Sequence, residues 1–446
     1  MQKGVVDFIT LGCSKNLVDA ERVMRQLEAV GWKCVHDPEE PKGEICVVNT
    51  CGFIGDAKEE SIRVILEMAE RKKKGKLRKL IVMGCLSERY RAELEAELPE
   101  VDRYFGKFDF PEITKELRIE NGELRIGCAA YERHLTTPRH YAYLKISEGC
   151  NRMCSYCAIP LITGRHTSRP KEEILEEVRW LVSQGVKELN VIAQDLSSYG
   201  LDLKANGEWR MANGRHLLPE LIEEIAQVPG VEWIRLHYAY PADFPEKLLD
   251  VMARNKNVCK YLDIALQHCT DHMLGLMRRH ITRAEQDALI RKIRERVPGI
   301  CLRTTLMVGH PGETEEDFEE LKAWVKEMRF ERMGCFAYSD EEGTYANKHY
   351  KDDVPQEVKE SRAAELMAIQ QEISGELMSR FVGKTERVII DRREGDYWVG
   401  RTEFDSPEVD CEVLVENIGN WPLVIGDFYD VKITKAEEFD LYGILC

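Results

Sequence analysis

The sequence predicts an α/β chain of three folded parts: an N-terminal doubly wound parallel sheet, a central partial (β/α)6 TIM-like barrel, and a small C-terminal antiparallel β-barrel. Three observations carry this expectation. An apolar run ending on a cysteine occurs three times before residue 138, each time followed by a helical stretch; a strand–loop–helix unit then recurs about six times up to residue 345; and short alternating strands broken by Gly, Pro and Asp close the chain.

The N-terminal runs are Val5 to Cys13, Ile45 to Cys51 and Leu80 to Cys85. Continuous apolar strands alternating with helices are those of a sheet covered on both faces, and ligands of such sheets collect beyond the carboxyl ends of the strands. Cys13, Cys51 and Cys85 all lie there. One cysteine at a strand end is ordinarily a small hydrophobe, but three in the same position point to a shared crevice. The densest basic stretch, Arg71 to Lys79, follows a helical pattern carried by Ile62, Ile65, Leu66 and Met68. Cations at a helix C-terminus explain it; a ribosome or RNA contact is the alternative.

The barrel strands are expected at Tyr143–Ser147, Glu188–Ala193, Trp233–His237, Tyr261–Leu266, Ile300–Val308 and Arg332–Tyr338, with helices such as Lys171–Gln184, Leu217–Gln227 and Glu315–Arg329 between them. The loop after the first strand, Glu148 to Pro160, holds Cys150, Cys154 and Cys157 in a C-x3-C-x2-C array. Thiolates so spaced can wrap one cluster, and a [4Fe–4S] cube with three protein ligands keeps one iron open. Zinc is the competing reading, although structural zinc sites want four ligands. Catalysis in barrels sits at the carboxyl-end face, so Gln194-Asp195, Gln267-His268, Arg303 and Gly309-His310-Pro311-Gly312-Glu313 are further candidates, with His268 on its own reading more readily as structural. The Gly-, Asn- and Asp-rich insertion Ser197–Arg215 reads as a surface loop near the mouth. Leu366, Ile369, Ile373 and Leu377 repeat at helical spacing, giving an amphipathic linker helix. The expected division is 1–137, 138–345, 346–378 and 379–446.

Composition sets bounds. With 446 residues, 43% hydrophobic and 32% charged, the chain supports two or three cores. No apolar run reaches a membrane span of ~18 residues, and Met1-Gln2-Lys3-Gly4 leads into a strand rather than a signal-peptide core, so a cytoplasmic location without membrane partners is expected. Fifteen cysteines in such a chain argue for thiolate ligands rather than disulfides. A net charge of -16 disfavours affinity built mainly on phosphates.

The C-x3-C-x2-C loop with Tyr156 before its last cysteine resembles the cluster loop of radical S-adenosylmethionine (SAM) enzymes. Leu11 to Asp19, Asn49 to Ile54 and Met83 to Leu86 resemble the three cysteine motifs of methylthiotransferases, and the C-terminal strands resemble the TRAM domain that closes them. The resemblance covers essentially the whole chain. It implies two [4Fe–4S] clusters: one on Cys150, Cys154 and Cys157 that binds SAM and yields a 5′-deoxyadenosyl radical, and an auxiliary one on Cys13, Cys51 and Cys85 that holds the sulfur to be methylated and transferred. Tyr156, Gln194, Gln267, Arg303 and Gly309 are then expected on the SAM side, Cys34, Cys46 and Cys128 are structural, and an electron donor such as flavodoxin or ferredoxin is required. Ser14, where many relatives carry Pro, and Cys269-Thr270 are departures that leave the chemistry intact.

The family divides into tRNA-adenosine methylthiotransferases and a branch that modifies the β-carbon of an aspartate in small-subunit ribosomal protein S-twelve. Gly12 to Asp19, Ala193-Gln194-Asp195 and Leu266-Gln267-His268 resemble the ribosomal-protein branch. From Arg380 to Cys446 there are 8 Lys/Arg against 15 Asp/Glu. That sign is wrong for gripping RNA and suits a basic ribosomal protein, so the C-terminal barrel is expected to dock it, with RNA contact secondary. Alternatives are the tRNA enzyme and a non-catalytic Fe–S ribosome-assembly factor.

Overall fold

The computed structural model describes residues 4–119, 128–203, 215–416 and 422–446. Five parallel strands, β1 (Val5–Thr10), β2 (Lys33–His36), β3 (Ile45–Thr50), β4 (Lys79–Gly84) and β5 (Arg103–Tyr104), form the first sheet in the order β2-β1-β3-β4-β5. Helices Ser14–Ala29 and Phe110–Ile119 cover one face over Val6, Phe8, Leu27 and Ile113; Gly55–Lys73 and Cys85–Glu97 cover the other over Val48, Ile65 and Leu80. This is the doubly wound layering the apolar runs imply. The short edge strands β2 and β5 carry too few apolar residues to announce themselves. In the basic stretch, Lys72 pairs with Asp102, Lys73 with Glu100, Arg78 with Glu44 and Lys79 with Glu116. Much of its charge is therefore neutralised within the chain.

Next come β6 (Tyr141–Lys145), a hairpin of β7 (Ser147–Glu148) and β8 (Thr167–Ser168), then β9 (Glu188–Ile192), β10 (Trp233–Ala239), β11 (Val258–Ile264), β12 (Cys301–Val308) and β13 (Arg332–Ala337). The six long strands form one parallel sheet, β13-β12-β11-β10-β9-β6. Helices Lys171–Ser183, Leu218–Ala226, Lys247–Arg254, Arg283–Arg296 and Glu315–Met328 separate them. The expected linker, observed as Gln356–Ser379, buries Leu366 and Ile373 in the same core and so serves as the sixth helix of the partial barrel. The N-terminal unit holds both edges of this open barrel: Asp19 pairs with Lys145 on β6, while Lys58 and Arg89 reach Glu341 beyond β13.

The last part is a closed barrel of β14 (Thr385–Glu394), β15 (Tyr397–Arg401), β16 (Val413–Glu416), β17 (Phe428–Ala436) and β18 (Leu441–Leu445). One of its five pairings, β16 with β18, is parallel, a departure from the all-antiparallel expectation. Its loop 402–411 fills the base of the large barrel. Tyr141 and Tyr143 donate to Glu408, Tyr261 donates to Asp410 at 2.7 Å, and Arg332 meets Asp405 at 2.6 Å. Ile389 and Phe428 pack there on Trp233, Cys259, Tyr261 and Cys301. Among the described residues no helix is long and apolar enough to cross a membrane.

The insertion expected at Ser197–Arg215 differs at its start, since Leu196, Ser197 and Tyr199 are fully buried; residues 204–214 lie outside the described residues.

Candidate functional site

The loop thiols follow the end of β6, where a parallel barrel presents its functional groups. Cys154 is buried, and Cys150 and Cys157 are half-buried. The loop is fixed from outside, because Ser155 Oγ meets His310 Nε2 at 2.9 Å and Ser155 N–H donates to the Met277 carbonyl. Arg279, almost fully buried, donates to Cys154 Sγ at 3.2 Å and to Tyr156 Oη at 3.3 Å, and also to the Ala265 carbonyl. Its guanidinium and that of Arg152 lie 4.1 and 4.3 Å from the ring centre of Tyr240. Two cations beside three thiols form an environment suited to a negatively charged thiolate cluster. Burial pushes the Cys150 thiol up to about 12 and raises Cys157 as well. Such thiols ionise when a metal binds them.

Cys13 caps helix Ser14–Ala29, Cys51 follows β3 and Cys85 opens helix Cys85–Glu97. Asn16 draws these three strand ends together: its Nδ2 donates to the carbonyls of Thr50 and Leu11, and its Oδ1 accepts from Cys85 Sγ at 3.4 Å. Gly84 sits at φ +102°, and a Cβ there would stand 2.5 Å from Asn49 Oδ1 and 2.6 Å from the Thr50 carbonyl. Only glycine lets β4 deliver Cys85 to this position. Burial pushes the Cys85 thiol up to about 12, against the pull of Lys107.

A buried ion cluster lies between the two thiol sets. Lys107 reaches Glu148 at 3.2 Å and Asp19 at 3.9 Å; Lys145 pairs with the same two carboxylates, at 2.8 Å for Glu148. Burial alone would raise the Glu148 pKa, but Lys145 and Lys107 outweigh it and hold the carboxyl at about 2. Gln194 donates to Glu148 and leaves its buried Oε1 without a partner among the described residues. Glu148 stands two residues before Cys150, and the charge of Lys107 is felt by Cys85, so this cluster lies between the two sites.

The other predicted residues divide. Gln194 and Tyr156 stand beside the loop thiols. Gln267 is held at φ +76°, where its N–H donates to Thr305 and its carbonyl accepts from Met307; a non-glycine residue kept there marks local strain of the kind found at binding sites. Arg303 does not lie at a strand end. It is third in β12 and is engaged by Asp263 at 3.4 Å and Asp410 at 3.2 Å, on the side of the C-terminal plug. Gly309 is explained by packing, since a Cβ there would stand 2.2 Å from Lys359 Cγ. His268 is fully buried and 3.3 Å from Glu313, in keeping with a structural role. Sequence reading overlooked Arg279, Tyr240, Lys107, Lys145 and Asp19. For Tyr240, Lys107 and Lys145 the signal available was a cation or aromatic near a strand end; Asp19, inside helix Ser14–Ala29, and Arg279, after helix Asp271–Leu276, carried none.

The donor chemistry fits two cuboidal clusters. Each set offers three thiols, one backed by Arg279 and the other shaped by a glycine that any Cβ would disrupt. Neither set shows the fourth protein ligand that a structural zinc site wants, and among the described residues no group of Cys, His, Asp or Glu is gathered for a single metal ion. A cube binds each thiolate through a different iron.

Comparison with known proteins places these features. The model described as Radical SAM superfamily matches residues 144–325, that of Uncharacterized protein family UPF0004 matches 5–106, and that of the TRAM domain matches 382–445. The chain is 63% identical over 443 residues to the ribosomal protein uS12 methylthiotransferase RimO of Phocaeicola vulgatus, covering 99% of both chains. It is 57% identical to that of Porphyromonas gingivalis over 99% of both, and 51% identical to that of Christiangramia forsetii over 99% of this chain and 94% of the relative. Among solved structures, the radical SAM methyltransferase TsrM from Kitasatospora setae aligns with TM-score 0.53 at 14% identity, covering 75% of this chain and 74% of TsrM. The cobalamin-dependent radical enzyme OxsB aligns with TM-score 0.51 at 11% identity, over 82% and 56%. At those identities the likeness is one of fold.

Proposed function

We infer the activity from one premise: this chain belongs to the RimO family of radical SAM ribosomal protein uS12 methylthiotransferases. It adds a methylthio group to the β-carbon of an aspartate in that ribosomal protein. The observation that carries this reading is the pairing of two three-thiol sets at the carboxyl ends of two parallel sheets, joined by the Asp19–Lys107–Lys145–Glu148 cluster.

Cys150, Cys154 and Cys157 would hold the SAM-binding [4Fe–4S] cluster, and Cys13, Cys51 and Cys85 the auxiliary one. When bound, these groups and SAM supply the one-electron C–H chemistry and the sulfur that no side chain provides. The chain's own residues orient and shield. Arg279 and Arg152 offset negative charge at the loop thiols, Gln194 offers its free Oε1 to a donor on bound SAM, and Gln267 presents its side chain from a fixed backbone. Arg303 and Gly309 support the barrel rather than SAM. The working division is 1–137 for the auxiliary site, 138–345 for the radical barrel, 346–378 for the connecting helix and 379–446 for the TRAM domain. The reaction takes place in the cytoplasm, with flavodoxin or ferredoxin as reductant.

The docking face on the C-terminal barrel draws on only part of its acidic residues. Of the C-terminal acids, Asp391, Asp405, Glu408 and Asp410 are committed to Arg401, Arg332, Tyr141 and Arg303, so they are not free to attract a basic protein. The decisive experiment is mass spectrometry of uS12 and tRNA from a strain lacking this gene. Loss of the methylthio group from uS12 is expected; loss of methylthioadenosine from tRNA with uS12 unchanged would overturn the reading.

A further inference from the structure

Four lysines are buried among the described residues: Lys15, Lys107, Lys145 and Lys359. A buried ammonium is costly unless a countercharge or hydrogen-bond acceptor meets it. Three have one, since Lys107 and Lys145 meet Asp19 and Glu148, and Lys359 meets Asp352 at 2.6 Å. Lys15 does not. Its residue is 7% exposed, and its Nζ lies 3.0 Å from the ring centre of Tyr238, with no carboxylate at ion-pair distance among the described residues. A ring face compensates a cation only in part.

The position of this cation is informative. Lys15 stands in the first turn of helix Ser14–Ala29, two residues after Cys13 and one turn before Asp19. Asp19 turns to β6 beside the radical loop, while Lys15 reaches the end of β10. The helix therefore lays one face across the barrel mouth, between the two thiol sets. Tyr238 is held at φ +63°, with its N–H donated to Asp263 at 3.2 Å. Asp263 in turn faces Arg303 at 3.4 Å. A tyrosine held in the left-handed region beneath a lysine without a countercharge is backbone strain of the kind that clusters at binding sites.

We propose that Lys15 is the specificity residue that receives the side-chain carboxylate of the substrate aspartate, resting on the uS12 reading above. A carboxylate on Lys15 gains a charge-assisted hydrogen bond from an ammonium whose side chain is already largely desolvated. It also places the neighbouring methylene close to the helix that begins at Cys13, where the sulfur is to be delivered. An asparagine in the same place would leave the ammonium uncompensated.

The test measures binding of recombinant uS12, with its target aspartate intact or changed to Asn, to the full chain with reconstituted clusters, for the wild type, Lys15→Met and Lys15→Arg. Circular dichroism and iron content check that each variant is folded and loaded. The wild type is expected to prefer the Asp form by about tenfold or more; Lys15→Met is expected to bind both forms alike, and Lys15→Arg to restore part of the preference. A Lys15→Met protein that keeps the preference overturns the proposal while leaving the functional reading in place. So does a variant that loses SAM affinity but still distinguishes Asp from Asn, and so does a wild type that binds both forms equally. A wild type that binds neither form defeats the functional reading and the proposal with it.

Discussion

Glu177 shows how a single carboxylate governs the joint between the first two parts. Fully buried on helix Lys171–Ser183, it meets Arg169 at 2.7 Å, Arg22 at 3.1 Å and Arg133 at 3.3 Å. Burial would raise its pKa, but Arg169, Arg133 and Arg22 together lower it from 4.5 to about 2. A depressed carboxylate stabilises above its unfolded pKa and loses that contribution as pH falls, here between about 4.5 and about 2. Glu177→Gln should cost about 3–5 kcal/mol at neutral pH and flatten the acid limb of a stability–pH curve measured by denaturant unfolding. An unchanged acid limb would contradict the pairing. The placement of the six cysteines, at strand ends and in one loop, was legible from sequence because each ends an apolar run or crowds one loop; their role as ligands is the reading proposed above. Arg303 was misplaced because its partner Asp410 lies 107 residues further on, beyond the reach of any local pattern.

At the scale of elements, the strand ends and their glycines set the sites. Gly84→Ala should push the first turn of helix Cys85–Glu97 away from Asn49 and Thr50 and shift Cys85. The expected result is loss of about half the bound iron with SAM cleavage still detectable, measured by iron analysis and 5′-deoxyadenosine formation, since displacing Cys85 leaves the auxiliary site only two of its three thiols. Full iron content would remove Cys85 from the ligand set. The six barrel strands could be read because each combines apolar length with a following helix. β2, β5 and β16 could not, being strands of four residues or fewer whose identity comes from their neighbours, and nothing in its sequence marked off β18. The connecting helix was read from its periodicity, but its place as the sixth barrel helix depends on β13, which the periodicity does not reveal.

For the whole molecule, the C-terminal barrel is a structural part of the enzyme rather than an appended grip. Asp405 is 1% exposed and holds Arg332 at 2.6 Å, and Arg401 joins Asp391 to the fully buried Glu188 of β9. Scanning calorimetry should therefore show the large barrel and the TRAM domain melting in one transition. Asp405→Asn should lower that transition together for both by stranding a buried guanidinium, a loss of about 3–5 kcal/mol. Two separate transitions in the wild type would refute the coupling. A net charge summed along a segment concealed this, because it counts inward-facing acids as if they were surface.

With its base plugged by residues 402–411, the barrel is a vessel with one neck. If the ribosomal protein settles over helix Ser14–Ala29, as the Lys15 proposal has it, it covers the face by which SAM would enter and its fragments leave. The docked substrate is then also the stopper, so how long it stays sets how quickly the vessel can be emptied and refilled. A reaction needing two SAM molecules per product would proceed as alternating visits, with the protein lifting between them, rather than as one uninterrupted stay.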